Sequence, residues 1–134
     1  NNLAVIGSTN KSEYIQGYFV KYGDGGVDLE PLQNLYKTQV LQLGNHLKIS
    51  SDILDRKASP DTWSLEVTDE DFFYGINYET LDLIWNAREN NISLENITKL
   101  VNLDQSQVKN LISYLEKRWN STSHMRKTPS SLNF

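Results

Sequence analysis

Cysteine is absent from the 134 residues, which excludes a disulfide scaffold and a thiolate metal site and suits a reducing compartment such as the cytoplasm. No apolar run approaches the roughly 20 residues that a membrane-spanning helix needs, and no signal peptide opens the chain as given. A basic surplus is also missing. Thirteen basic residues against seventeen acidic ones leave a net charge of -4, so no overall field draws in nucleic acid or an anionic membrane. The expectation is a soluble, cytoplasmic protein acting on a small partner. Asn1 opens the chain and Met125 is its one methionine, which leads us to expect a missing upstream segment.

With 38% hydrophobic residues the chain has material for one core and not two. Residues 1–134 are therefore expected to form a single, partial domain. Leu3-Ala4-Val5-Ile6 is a continuous apolar run ending at Gly7, the pattern of a strand buried on both faces of a parallel sheet. A helix can follow from Ser12 to Lys21, then a turn crowded with Gly23, Gly25 and Gly26, then a short strand at Val27-Asp28-Leu29. Asn34 is read as the cap of a helix with the stripe Tyr36, Val40, Leu43 and Leu47 packed on that sheet.

Regular periodicity fails over residues 56–72, where Pro60 forbids a helix interior and the length suits a lid or binding loop. Residues 77–119 then read as helices. Asn77 starts one carrying Leu81, Ile84 and Trp85, and Ser93 caps one carrying Ile97, Leu100 and Val101. Asp104 with Gln107 forms a capping box for a third, striped with Val108, Leu111, Ile112, Leu115 and Trp119. Residues 120–134 make a Ser/Thr-rich, basic tail with no apolar face. The four Asn-x-Ser/Thr triplets at Asn10, Asn91, Asn96 and Asn120 reflect composition. Trp63, Trp85 and Trp119 are read as packing residues, His46 as a cation at a helix C-terminus, and Thr68 to Asp71 as a solvated acidic face.

Two short patterns carry chemistry. Gly7-Ser8-Thr9-Asn10-Lys11-Ser12-Glu13 places a small-residue turn and then a carboxylate at the first turn of a helix, where ligands of open α/β sheets dock. Glu13 can bind magnesium beside phosphates or simply favour the helix N-terminus, and spacing alone leaves both open. Tyr22-Gly23-Asp24-Gly25-Gly26 is, by itself, a tight turn with Asp24 supplying a local hydrogen bond.

In order, Gly7 to Glu13, Gly17 to Leu29, Leu35-Tyr36-Lys37-Thr38-Gln39, Ser59-Pro60-Asp61, Thr68-Asp69-Glu70-Asp71, Gly75-Ile76-Asn77-Tyr78 and Ser123-His124-Met125-Arg126 closely resemble the NAD+ synthetase family, in particular its ammonia-dependent members. The resemblance spans nearly the whole chain. It implies the later strands and C-terminal helices of a doubly wound parallel sheet of the adenine nucleotide alpha-hydrolase type. It implies ATP contacts at Ser8, Lys37 and Ser59, magnesium at Glu13, and deamido-NAD+ contacts at Lys21, Asp28, His124 and Met125. Family members are typically homodimers. The sequence departs from the family at Ser8, where threonine is usual, at Thr9, where glycine is common, and at Met125, where lysine normally follows the histidine.

The implied reaction joins the nicotinate carboxylate of deamido-NAD+ to AMP with release of pyrophosphate, after which ammonia displaces AMP. Asp24 is the candidate to attract ammonium and accept a proton. The family's pyrophosphate loop, Ser-Gly-Gly-x-Asp-Ser, does not occur in this chain; it is expected upstream, on another chain, or lost. The 134 residues alone are therefore expected to be inactive. A catalytically inactive subunit is the first alternative. A helix-turn-helix DNA-binding module is the second, with Lys109, Lys117 and Arg118 on its second helix, although those bases lie late where base readout uses the N-terminal residues.

Overall fold

The computed structural model describes residues 2–60, 64 and 66–131. Six α-helices are formed among them: α1 (Lys11–Gln16), α2 (Lys37–His46), α3 (Ser51–Leu54), α4 (Tyr78–Glu89), α5 (Leu94–Val101) and α6 (Gln105–Ser121). A π-helical turn, Glu70–Tyr74, precedes α4, and a 3-10 turn, Ser123–Arg126, follows α6. Trp63 and Asp61 lie outside the described residues.

The core is helical and centred on α4. That helix touches α1, α2, α5 and α6, and it buries Tyr78, Leu81, Asp82, Ile84, Trp85 and Ala87. Leu81 and Ile84 are fully enclosed, each stabilising the fold by roughly 1.5–3 kcal/mol through burial. Ile97 of α5 and Val108 and Leu115 of α6 close the other side, and Trp119 stands 5.7 Å from Trp85, ring to ring. The predicted caps are present: Asn77, Ser93 and Asp104 each accept a backbone N–H three residues on. Leu100, expected on the buried stripe of α5, is exposed.

The expected sheet is not formed among the described residues. Two extended segments meet at one parallel bridge, Ile6 with Leu29, supported by Gly7 N to Leu29 O at 2.7 Å and Asp28 N to Val5 O at 3.0 Å. Leu3, Val5 and Ile6 are exposed, against the expectation of burial on both faces. Among the described residues, the backbone partner of this apolar run is the segment around Leu29.

Other local expectations shift for identifiable reasons. The helix expected to reach Lys21 ends at Gln16, because Gly17 adopts φ 67 and its N–H turns back to Glu13 O and Tyr14 O, a left-handed cap that glycine takes without strain. Asn34 does not cap α2. Tyr36 occupies that position and no side chain of its own bonds the helix. The stripe Val40, Leu43 and Leu47 is not packed on a sheet; Leu43 and Leu47 are exposed, and the helix buries no residue completely. Directly after α6 the chain forms the 3-10 turn, which Arg126 ties back to the body of the fold. The Arg126 guanidinium stacks 3.7 Å above the Trp119 ring and donates to Tyr14 O at 3.3 Å, Thr122 Oγ1 at 2.9 Å and Trp119 O.

Candidate active site

The turn after Gly7 delivers its helix through a capping box. Asn10 Oδ1 accepts from Glu13 N at 3.1 Å, and Glu13 Oε2 accepts from Asn10 N at 3.0 Å. Glu13 therefore does favour the helix start. It also lines a cleft of about 300 Å³ together with Lys37, Arg56, Lys57, Ser59 and Asp69. Three sequence-predicted residues, Glu13, Lys37 and Ser59, come from separate segments to this one place. Burial raises the Glu13 carboxyl above its ordinary value, against the opposing pull of the Asn10 amide and the Lys37 charge. A carboxylate so placed gains by meeting a cation, and three basic residues on the same walls suit a phosphate chain.

Asp69 corrects the reading of Thr68 to Asp71 as a solvated face. It is 5% exposed and accepts from Tyr18 Oη at 2.9 Å and Tyr78 Oη at 3.2 Å. Those rings join Phe73 and Tyr74 in one aromatic cluster, with neighbouring centroids 4.1 to 5.6 Å apart. Glu70 accepts from Tyr78 N at 2.7 Å, and Thr68 pairs with Asp71 at 2.7 Å. Asp69 thus lines the cleft, and Glu70 holds the first amide of α4.

Among the described residues no group of three or more histidine, aspartate or glutamate side chains is placed to hold a metal. Magnesium ordinarily takes one or two carboxylates and completes its shell with phosphate oxygens and water. Glu13, with Asp69 in the same cleft, fits that habit.

A second grouping lies at the end of α6. Lys21 Nζ donates to the backbone oxygen of His124 at 2.8 Å, so two residues 103 positions apart meet on the surface. Met125 occupies the same turn, and its N–H bonds Thr122 O at 3.0 Å. Gly17 makes this approach possible: a Cβ there would lie 2.4 Å from Thr122 Cβ. Asp24 Oδ1 accepts from Val20 N at 2.5 Å, the local turn bond, and Asp28 Oδ2 accepts from Val5 N at 2.8 Å. Ser8, like Asp24 and Asp28, is exposed, and none of the three lines the small cleft.

Sequence reasoning missed Asp82. It is 4% exposed, accepting Ser12 Oγ at 2.5 Å, Thr38 N at 3.0 Å and Thr38 Oγ1 at 2.9 Å. Glu89, two turns on, accepts Lys11 Nζ at 2.5 Å and Tyr36 Oη at 2.7 Å. Tyr78, Asp82, Trp85 and Glu89 recur at four, three and four residues. An acidic pair inside an otherwise apolar stripe was the available signal. On α6, Arg118, a base of the DNA-binding alternative, donates to Phe73 O at 3.1 Å and stacks 3.6 Å over the Phe73 ring.

The NAD synthase family profile matches residues 1–129. The NH(3)-dependent NAD(+) synthetase of Rhizobium meliloti is 38% identical over 128 residues, covering 96% of this chain and 38% of its own length. That of Sulfolobus acidocaldarius is 42% identical over 112 residues, covering 83% and 39%. Among solved structures, the NMN synthetase from Francisella tularensis superposes with a TM-score of 0.72 at 33% identity, over 99% of this chain and 48% of that one. The NH3-dependent NAD synthetase from Campylobacter jejuni gives 0.67 at 27% identity, over 98% and 46%. The chain spans less than half the length of these relatives. With a profile match over nearly every residue, and the solved NAD and NMN synthetases sharing its arrangement of helices and turns, the chain belongs to the NAD synthase family.

Proposed function

We propose that these residues supply the later part of a ligase active site that amidates a pyridine nucleotide carboxylate with ammonia at the expense of ATP. The observation that carries this reading is the convergence of Glu13, Lys37 and Ser59 on one cleft of about 300 Å³, in a chain of this family. A carboxylate is a poor acyl donor. The nicotinate oxygen of deamido-NAD+ attacks the α-phosphorus of ATP and pyrophosphate leaves; ammonia then attacks the acyl carbon, the bond to AMP breaks, and the amide sheds a proton.

Lys37 faces charge that builds on the phosphates, and Ser59 donates to them from the segment before Pro60. Ser8 contacts ATP from the turn before α1. Glu13 would hold magnesium, which when bound neutralises phosphate charge. Lys21, Asp28, His124 and Met125 form the pyridine nucleotide surface, and Asp24 attracts ammonium and takes its proton. The extended segments at Ile6 and Leu29 join the parallel sheet of the whole enzyme, which works as a cytoplasmic homodimer. The 134 residues alone are inactive in this reading.

The F. tularensis neighbour favours a second reading, in which the acceptor is nicotinic acid mononucleotide and the product NMN. Both readings are tested by purifying the protein at the relatives' full length and following AMP release with ATP, magnesium and ammonium chloride. Deamido-NAD+ and nicotinic acid mononucleotide serve as competing acceptors, and the 134-residue chain is assayed alone beside them. Amide formed only from deamido-NAD+ supports the first reading. Amide formed only from the mononucleotide supports the second, and no AMP with either acceptor overturns both.

A further inference from the structure

Helix α2 caps itself only in part: Gln39 Oε1 accepts the Tyr36 N–H at 2.9 Å, and nothing within α2 takes the amides of its first two residues. Tyr36, the residue at its start, makes no side-chain bond to the helix, yet Lys37, the cation of the cleft, is its first residue. The first two amides are instead held from other helices. Lys37 N donates to Ser12 Oγ at 2.9 Å, Thr38 N donates to Asp82 Oδ2 at 3.0 Å, and Ser12 Oγ donates onward to Asp82 Oδ1 at 2.5 Å. Thr38 Oγ1 adds a third bond to the same carboxylate at 2.9 Å. Ser12 has no exposed surface and immediately precedes Glu13.

We propose that Asp82 is a positioning residue for the phosphate side of the reaction, fixing Glu13 on α1 against Lys37 on α2 through Ser12 and Thr38. The inference rests on the functional reading above. A serine, aspartate or asparagine at position 36 would cap α2 equally well, but it would leave α1 unconnected. Routing the cap through a buried carboxylate on α4 makes one group the common reference for both helices. A buried carboxylate is costly unless its oxygens are occupied, and here both are. Hydrogen bonds to a charged acceptor in such a site are short and directional. The spacing between the two site residues is therefore set by three helices rather than by side-chain rotamers, which is what preorganisation against a phosphate chain requires.

The test uses full-length protein carrying Asp82→Asn, Ser12→Ala or Thr38→Ser, with Ile97→Val in α5 as a core variant remote from the cleft. Asn keeps an acceptor for Thr38 but turns a donor toward Ser12. Asp82→Asn and Ser12→Ala are expected to lower kcat/KM for ATP by roughly 10- to 100-fold, the scale of a small misplacement of reacting groups. KM for the pyridine nucleotide stays within about twofold of wild type. Thr38→Ser, which retains the hydroxyl, stays close to wild type. Amide hydrogen exchange provides an activity-independent readout: Lys37 and Thr38 exchange faster in Asp82→Asn, while amides of α5 do not.

A merely structural role gives a different pattern. Activity then falls for both substrates in parallel, as in Ile97→Val, with Lys37 and Thr38 still protected, and that result overturns the proposal. Should Asp82→Asn fail to fold, Ser12→Ala carries the same comparison. Absence of ligase activity in the wild type overturns the functional reading by itself. Exchange at Lys37 and Thr38 then decides whether Asp82 organises the cleft, and unchanged exchange in the folded variant sinks that too.

Discussion

The cleft around Glu13 and Lys37 and the surface around Lys21 and His124 are held by opposite means. The first is fastened from behind: Ser12, Thr38 and Asp82 are saturated with hydrogen bonds among three helices, and Asp69 is enclosed by tyrosines. The second lies on top of the fold. One lysine reaches one backbone oxygen, and the turn beneath it is pinned by a glycine contact and by the Arg126 guanidinium. Under the proposed function, phosphate charge is met by groups already in place, while the pyridine nucleotide is gripped by groups that can adjust.

The largest expected effect falls on the rigid side. Lys37→Ala in the full-length enzyme should cut turnover roughly 100-fold or more, the usual loss for one preorganised cation or donor at developing charge. Near-wild-type turnover at saturating ATP would remove Lys37 from the phosphate site. Asp24→Asn tests the boundary between the two regions. Asparagine still offers an oxygen to Val20 N, so the turn persists, and amide formation should fall by about 100-fold, the low end for loss of a proton acceptor. Pyrophosphate exchange should continue; equal loss of both steps would make Asp24 a substrate-positioning group.

On the adjustable side, Gly17→Ala should destabilise the fold by more than about 1 kcal/mol, because alanine resists φ 67 and its Cβ would meet Thr122. Denaturant midpoints measure this, and KM for the pyridine nucleotide should rise with it while KM for ATP holds. The smallest effect concerns Glu89. Partial burial would raise its pKa, but the Lys11 ammonium and the Tyr36 and Trp85 donors outweigh that and hold it below the ordinary 4.5. Its stabilisation is therefore complete above that value and lost as the pH falls through the lower, folded one. The stability gap between wild type and Glu89→Gln should shrink steadily on acidification below 4.5; a gap that widens would show that the Lys11 pair does not hold the carboxylate charged.

Sequence pattern made the helices from Asn77 onward readable, since caps at Asn77, Ser93 and Asp104 and a 3.6-residue stripe are local properties. The chain before Lys37 was less legible. Leu3 to Ile6 has the composition of a buried strand, but burial is decided by neighbours, and among the described residues its backbone pairs with the segment at Leu29 alone. The cleft itself followed from the family resemblance and not from spacing: Glu13 sits in an ordinary capping box, and nothing in its local sequence distinguishes a cap from a ligand. Asp69 and Asp82 escaped because an isolated acidic residue is normally solvated, and they are enclosed by partners as far as 51 and 70 positions away.

The seating of the last turn on the first helix also sets an order of assembly. Lys21 meets His124 across 103 positions and Tyr14 meets Arg126 across 112, so these contacts close only at the loop-entropy cost of nearly the whole chain. Helices α4, α5 and α6, sequential neighbours that pack on one another, shorten that path once they have formed. The surface around Lys21 and His124 is then the last region to be completed, absent from the folding transition state. A chain carrying Gly17→Ala should accordingly unfold faster yet refold at almost the wild-type rate, and slowed refolding would place this contact in the nucleus instead.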